Sequence, residues 1–210
     1  MINTTDIFQL HSKATFEDMA YKIFNFQFEN NVVYRSFCDL LYINPSDVCS
    51  LKEIPFLPIQ FFKTHKILSS NQAIEKTFTS SGTTGNTTSK HHITDLKLYE
   101  KSFNQGFKQF YGNIEDYTIL ALLPSYLERD GSSLIYMVDA LIKQSKKPQS
   151  GFYLDNLSAL KDTLTQLDSK GEKVMLIGVS FALLDLIEQH PFQLKNTIVM
   201  ETGGMKGRRK

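Results

Sequence analysis

The residues of this chain best suited to chemistry stand together in one stretch, Thr79-Ser80-Ser81-Gly82-Thr83-Thr84-Gly85-Asn86. Gly82 and Gly85 permit backbone conformations with positive φ. Successive backbone N–H groups in such a loop can converge on an anion, and the flanking hydroxyls can donate to phosphate oxygens. Lys90, His91 and His92 follow and bring positive charge. This is the chemistry of a phosphate cradle. A polar surface loop has the same composition, but the apolar strand expected just before the stretch favours the cradle. It is not a Walker A loop, which needs G-x-x-x-x-G-K-[ST], because Asn86 follows Gly85, and G-x-G-x-x-G is also absent.

The rest of the composition narrows the field. The chain has 210 residues, with 41% hydrophobic and 12% aromatic side chains, so it can bury a sizeable core without cross-links. Lys plus Arg is 23 and Asp plus Glu is 22, a net charge of +1 that gives no global support for a nucleic-acid partner. Two cysteines, Cys38 and Cys49, are too few for a disulfide scaffold or a four-cysteine zinc site and read as reduced thiols. The N-terminus has neither a basic region nor an apolar core, so no signal peptide is expected. The most apolar window, Val174 to Ile187, is too short to span a bilayer. A soluble cytoplasmic protein is the expectation.

The elements that must position the loop follow from periodicity. Thr15 with Asp18 resembles a capping box. Phe16, Met19, Ile23, Phe24 and Phe28 recur at helical spacing behind it. A second helix is expected from about Val32 to Tyr42. Pro55 and Pro58 bar a regular strand in Ile54–Phe62, and Pro58 can open a short helix. The Phe-rich residues there suit either core packing or the wall of an apolar tunnel. Beyond residue 74 strands and helices alternate. Strands are expected at Ile74–Thr79, Thr118–Leu123, Phe152–Leu154, Lys173–Ile177 and Thr197–Met200. Helices are expected at 95–110, 133–144, 157–167 and 181–189, the first with Leu96, Tyr99, Phe103, Phe107 and Phe110 on one side. The fold class is α/β: a largely parallel sheet flanked by helices, with a helical N-terminal lead-in. The continuous apolar runs Ile119–Leu123 and Val174–Ile177 fit strands buried on both faces. Ligands of such sheets bind beyond the carboxyl ends of strands. His91 and His92 read as loop residues, too close in sequence to share a metal as helical ligands do.

Ser80-Ser81-Gly82-Thr83-Thr84-Gly85 resembles the phosphate loop of the adenylate-forming superfamily, [ST]-[ST]-G-[ST]-[ST]-G followed by a lysine. More closely, the chain resembles its acyl-protein synthetase (LuxE-type) branch, related to phenylacetate–CoA ligases. Three further segments carry that likeness: Ile54–Lys63, Leu123-Pro124-Ser125-Tyr126-Leu127-Glu128-Arg129, and Glu201-Thr202-Gly203-Gly204-Met205-Lys206-Gly207-Arg208-Arg209. It covers residues 54–210 and is loose over 1–53. The resemblance therefore divides the chain into a helical segment, 1–53, and the α/β part of an adenylate-forming domain, 54–210.

The resemblance implies that a carboxylic acid, a fatty acid in the first instance, is activated with ATP and Mg²⁺ through an acyl-adenylate. The acyl group then passes to a thiol, of an acyl-accepting protein or of coenzyme A. It implies that Ser80, Ser81, Gly82, Thr83, Thr84 and Gly85 hold the nucleotide's phosphates. Gly203 and Gly204 would lie beside adenine, although a simple turn after a strand explains them equally well. Tyr126, Arg129 and Lys90 are the catalytic candidates. Tyr126 stands where the superfamily places an aromatic residue or His near the carboxylate. Arg129 suits either substrate anchoring or an ion pair with Glu128. Lys90 follows Gly85 by five residues, a longer spacing than the superfamily pattern commonly has.

The sequence also departs from the family. The tyrosine-glycine-x-threonine-glutamate motif, the acidic residue that holds the ribose, and the small C-terminal domain with its lysine are absent, so an N-terminal fragment is expected. The branch's acyl-accepting cysteine lies near the family's C-terminus, so neither Cys38 nor Cys49 inherits its role. Two rival readings keep the fold: an acyltransferase that uses an acyl-CoA-type donor, and a degenerate binding module without catalysis.

Overall fold

The computed structural model describes residues 2–80, 88–123, 131–153 and 156–203. The chain separates into two compact units, Met1–Ser102 and Phe103–Lys210. This is a division by packing, whereas the boundary at 53/54 is an expectation from the motif likeness alone.

The first unit begins with α1 (Lys13–Asn30) and α2 (Val32–Leu40). The capping box of α1 is Ser12 with Thr15, not Thr15 with Asp18. Ser12 Oγ accepts from the Thr15 N–H at 3.1 Å, and the Ser12 N–H donates to Thr15 Oγ1 at 3.1 Å. The helix thus starts one turn earlier than Thr15–Asp18 implies, because two hydroxyls satisfy the orphan N–H groups as well as Ser with Glu would. Asn31 caps α2, its side chain accepting from the Tyr34 N–H. Phe24, Phe28, Tyr34 and Cys38 form a small core, where burial pushes the Cys38 thiol up and Tyr34 Oη donates to the Pro55 carbonyl. Cys49 is exposed and both thiols are free. Turns from Pro58 lead into α3 (Phe61–Thr64). Phe56 and Ile59 stay 82% and 74% exposed, so core packing fails for them. It holds in part for Phe61 and Phe62, whose rings meet Phe37 and His91.

The first strand, β1 (Lys76–Thr79), pairs antiparallel with β2 (Lys90–Ile93) to form a two-stranded sheet. The sequence reading is corrected here: His91 and His92 lie in a strand, and the alternation of strand and helix into a parallel sheet starts only after residue 117. A helix that begins in the first unit, α4 (Leu96–Tyr111), ends in the second. Its Phe107 is buried, but Phe110 is 77% exposed and Tyr111 packs instead.

The second unit holds β3 (Thr118–Leu122), α5 (Ser133–Ser145), β4 (Gly151–Phe152), α6 (Leu157–Ser169), β5 (Val174–Gly178), α7 (Ser180–Gln189) and β6 (Thr197–Glu201). The four strands pair in the order β4-β3-β5-β6, all parallel. Every residue of β3 and β5 is buried, as their unbroken apolar runs require. Leu160, Leu164 and Leu167 of α6 and Val138 and Leu141 of α5 cover them. The outer strand β6 leaves Ile198 and Val199 exposed. No helix among the described residues is long and apolar enough to cross a membrane.

Candidate functional site

In the first unit the Ser/Thr/Gly stretch lies between the paired antiparallel strands β1 and β2 rather than between a parallel strand and a helix. The hairpin closes on two serines. The Ser80 N–H donates to the Ser89 carbonyl at 3.1 Å, and the Ser89 N–H donates to Ser80 Oγ at 3.0 Å. Ser80 is thus a closing residue of the loop, while its own hydroxyl hydrogen remains available to an acceptor. Ser81, Gly82, Thr83, Thr84 and Gly85 lie outside the described residues.

The stem of the hairpin is cationic. Register pairs Thr79 with Lys90, Phe78 with His91 and Thr77 with His92. Side chains alternate across a strand, so Thr77, Thr79, Lys90 and His92 share one face. Phe78, buried and tilted against Tyr99, anchors the other. Thr77 Oγ1 and His92 Nδ1 are 2.9 Å apart. Burial first, then the Lys66 and Lys90 ammonium groups, hold the His92 pKa below its ordinary value. Partial desolvation, and then His92, do the same for His91, which stays exposed with its ring edge-on to Phe62. Lys90, placed by the resemblance near phosphate, is exposed at the loop's exit. Sequence reasoning passed over Thr77 and Lys66; the Thr-x-Thr spacing of Thr77 and Thr79 is the one signal that marks a polar strand face.

In the second unit, hydrogen bonds tie together the carboxyl ends of three parallel strands. The Val179 N–H reaches the Leu122 carbonyl, and the Thr202 N–H reaches the Gly178 carbonyl at 2.9 Å. Ser180 Oγ donates to the Gly203 carbonyl. Gly178 is required by close approach, because a Cβ there would stand 2.8 Å from Leu183 Cδ2 and 3.2 Å from the Leu122 carbonyl oxygen. Gly203 has φ +77 with nothing within 4 Å of a Cβ position. Its requirement is conformational, and Gly203→Ala is expected to destabilise the protein by about 1 kcal/mol, read as a lower thermal midpoint. Gly204, Tyr126 and Arg129 lie outside the described residues, the last two just after β3. A shallow cleft of about 330 Å³, lined in part by Lys108, Asp116 and Gln144, sits at the amino end of β3, the end away from which such sheets bind ligands.

Against known proteins, the family profile described as acyl-protein synthetase, LuxE, matches residues 9–124, more than half of the sequence. The chain belongs to the acyl-protein synthetase (LuxE) family. No curated protein and no solved structure was found to match it. The match takes in the Ile54–Lys63 segment, the whole β1–β2 hairpin with its loop, and β3 up to Pro124. Tyr126, Arg129, Gly203 and Gly204 of this LuxE-family chain lie beyond the match, and their roles rest on the motif likeness alone. Among the described residues no group of three His, Cys, Asp or Glu side chains comes together as a metal site.

Proposed function

We propose that this protein activates a carboxylic acid, a fatty acid in the first instance, with ATP and passes the acyl group to a thiol. The observation that carries the reading is the hairpin within the family match: the Ser/Thr/Gly stretch lies between two strands that close on Ser80 and Ser89, and one face of those strands carries hydroxyls and cations. In the first half-reaction a carboxylate oxygen attacks the α-phosphorus, the bond to the β-phosphate bridge breaks, and pyrophosphate leaves with an acyl-adenylate formed. In the second, a thiolate sulfur attacks the acyl carbon and AMP leaves. The demand on the protein is to hold two anions in line and to offset the charge that builds on pyrophosphate. Hydroxyls and N–H groups of Ser81–Gly85 and the Lys90 ammonium suit that task. The described residues fit the polyphosphate rather than a metal, so Mg²⁺ is proposed to arrive held by the nucleotide's phosphates, where it would neutralise charge. Tyr126 and Arg129 are proposed near the carboxylate.

Exchange of labelled pyrophosphate into ATP tests this reading. Exchange that depends on an added carboxylic acid, strongest for the best-fitting member of a chain-length panel, is the expected result. No exchange with any acid overturns it. Acyl transfer from an acyl-CoA that proceeds without ATP replaces it with an acyltransferase.

A further inference from the structure

We infer that Ser180 is a positioning residue for the nucleotide: its buried hydroxyl holds the Gly203 turn in place at the ligand-binding end of the parallel sheet. The inference rests on the function proposed above and on the expectation that Gly203 lies beside the nucleotide. What it adds is the side chain on which that turn depends.

Strand order locates the part of the sheet that matters. The connection leaving β3 runs through α5 to β4 on one side, and the connection leaving β5 runs through α7 to β6 on the other. The order therefore reverses between β3 and β5, and parallel sheets bind ligands outside the carboxyl ends of their strands at such a point. Leu122 and Gly178 are the last residues of those two strands. Two bonds bring the chain that leaves β6 next to them. The Thr202 N–H donates to the Gly178 carbonyl at 2.9 Å, and Ser180 Oγ donates to the Gly203 carbonyl at 2.5 Å. Successive residues after β6 are thus clasped to the chain that leaves β5.

The Ser180 hydroxyl is used against the local rule. Ser180 is the first residue of α7, and Val179 fills the N-cap position before it. Valine is among the poorest capping residues; this one is fully buried in the core, and no side chain among the described residues caps the helix. A serine at such an end ordinarily serves the orphan N–H groups of its own helix. Here the hydroxyl crosses instead to a carbonyl 23 residues further on, and local rules are broken chiefly where function sets the residue. Gly203 has φ +77 and open space where a Cβ would stand, so a flat group can come up against its backbone. A glycine also has more conformations to lose than any other residue. The Ser180 bond restricts the turn before a ligand arrives, which lowers the cost of ordering it on binding.

The test is acid-dependent pyrophosphate exchange by the full chain as a function of Mg²⁺-ATP concentration, beside thermal unfolding of each variant with and without Mg²⁺-ATP. Ser180→Ala is expected to raise the KM for ATP about tenfold. Its kcat should stay within about twofold of the wild type, the mark of lost binding rather than lost chemistry. Its ATP-induced rise in thermal midpoint should shrink in step. Ser180→Thr keeps a hydroxyl and should restore the wild-type KM. Asp168→Asn loosens the other end of β6, where the strand begins, and is the structural comparison. Assayed at a temperature where every variant is folded, it should show a lower ligand-free midpoint and an unchanged KM for ATP. An unchanged KM in Ser180→Ala overturns the inference and leaves the proposed function standing. So does a KM that Asp168→Asn raises by the same factor, or one that Ser180→Thr fails to restore while unfolding at the wild-type midpoint. If the wild type shows no exchange, yet ATP raises its midpoint and Ser180→Ala reduces that rise, the proposed function falls and the positioning role stands. If the wild type gives neither signal, both fall.

Discussion

Asp168→Asn is expected to lower the stability of the second unit by about 3 kcal/mol at neutral pH, roughly three hydrogen bonds at about 1 kcal/mol each. The Asp168 side chain is buried at the end of α6. Its carboxylate accepts from the Lys195 N–H at 2.9 Å, the Asn196 N–H at 2.7 Å and Thr197 Oγ1 at 2.9 Å. The Asn196 side chain returns a bond to the Asp168 carbonyl. These contacts fix where the chain enters β6. An amide of the same shape keeps one acceptor but turns an NH₂ group toward N–H donors, leaving them unsatisfied. Burial by itself would push the Asp168 pKa up, but the Lys195 and Asn196 N–H groups, with Thr197, more than reverse this and hold it below the ordinary carboxylate value. A lowered folded-state pKa gives stability that is present above the unfolded pKa and is lost as pH falls through the folded one. The gap between wild type and Asp168→Asn should therefore be full at pH 7 and close in acid, below about pH 4. Thermal unfolding of both proteins across that range checks the claim, and a gap that does not depend on pH would refute it.

Asp168 also shows what the sequence conceals. An acid in the last turn of a helix stands at the unfavourable end of the helix dipole, and that local oddity is its only mark. Its partners lie 27 to 29 residues further on, and periodicity says nothing about them. The strands β3 and β5 were legible because burial on both faces imposes an unbroken apolar run, which polar surface residues rarely imitate. The second strand of the hairpin was not legible. Lys90-His91-His92-Ile93 has no apolar alternation, since one of its faces is made of cations and Thr hydroxyls and on the other His91 stays exposed, its ring edge-on to Phe62. The Ser/Thr/Gly loop could be read as a phosphate cradle from residue types alone, yet its setting was misread. The strand before it belongs to a small antiparallel sheet, where the rule that ligands gather at the carboxyl ends of parallel strands does not apply. Phe56, Ile59 and Phe110 failed for a simpler reason: apolar residues contribute much of any folded surface, so an apolar type alone does not place a side chain in the core.

The largest functional effect is expected from Ser81→Ala combined with Thr83→Ala. Each hydroxyl is proposed to donate to a phosphate oxygen, and a hydrogen bond to a charged group contributes about 1.5–3 kcal/mol. Loss of both should reduce acid-dependent pyrophosphate exchange by about 10²-fold or more, since 1.4 kcal/mol corresponds to a factor of ten. The same variant should abolish the rise in thermal midpoint that Mg²⁺-ATP gives the wild type, because a ligand stabilises only the state that binds it. Its midpoint without ligand should stay where it is. The Ser80–Ser89 closure uses neither hydroxyl, and the cross-strand bond between Thr77 and His92 is likewise untouched. These paired readings separate a role in binding from a role in folding. A variant that loses exchange together with its ligand-free stability would make the two hydroxyls structural. A variant that keeps both exchange and the ATP-induced rise would remove the loop from the phosphate site.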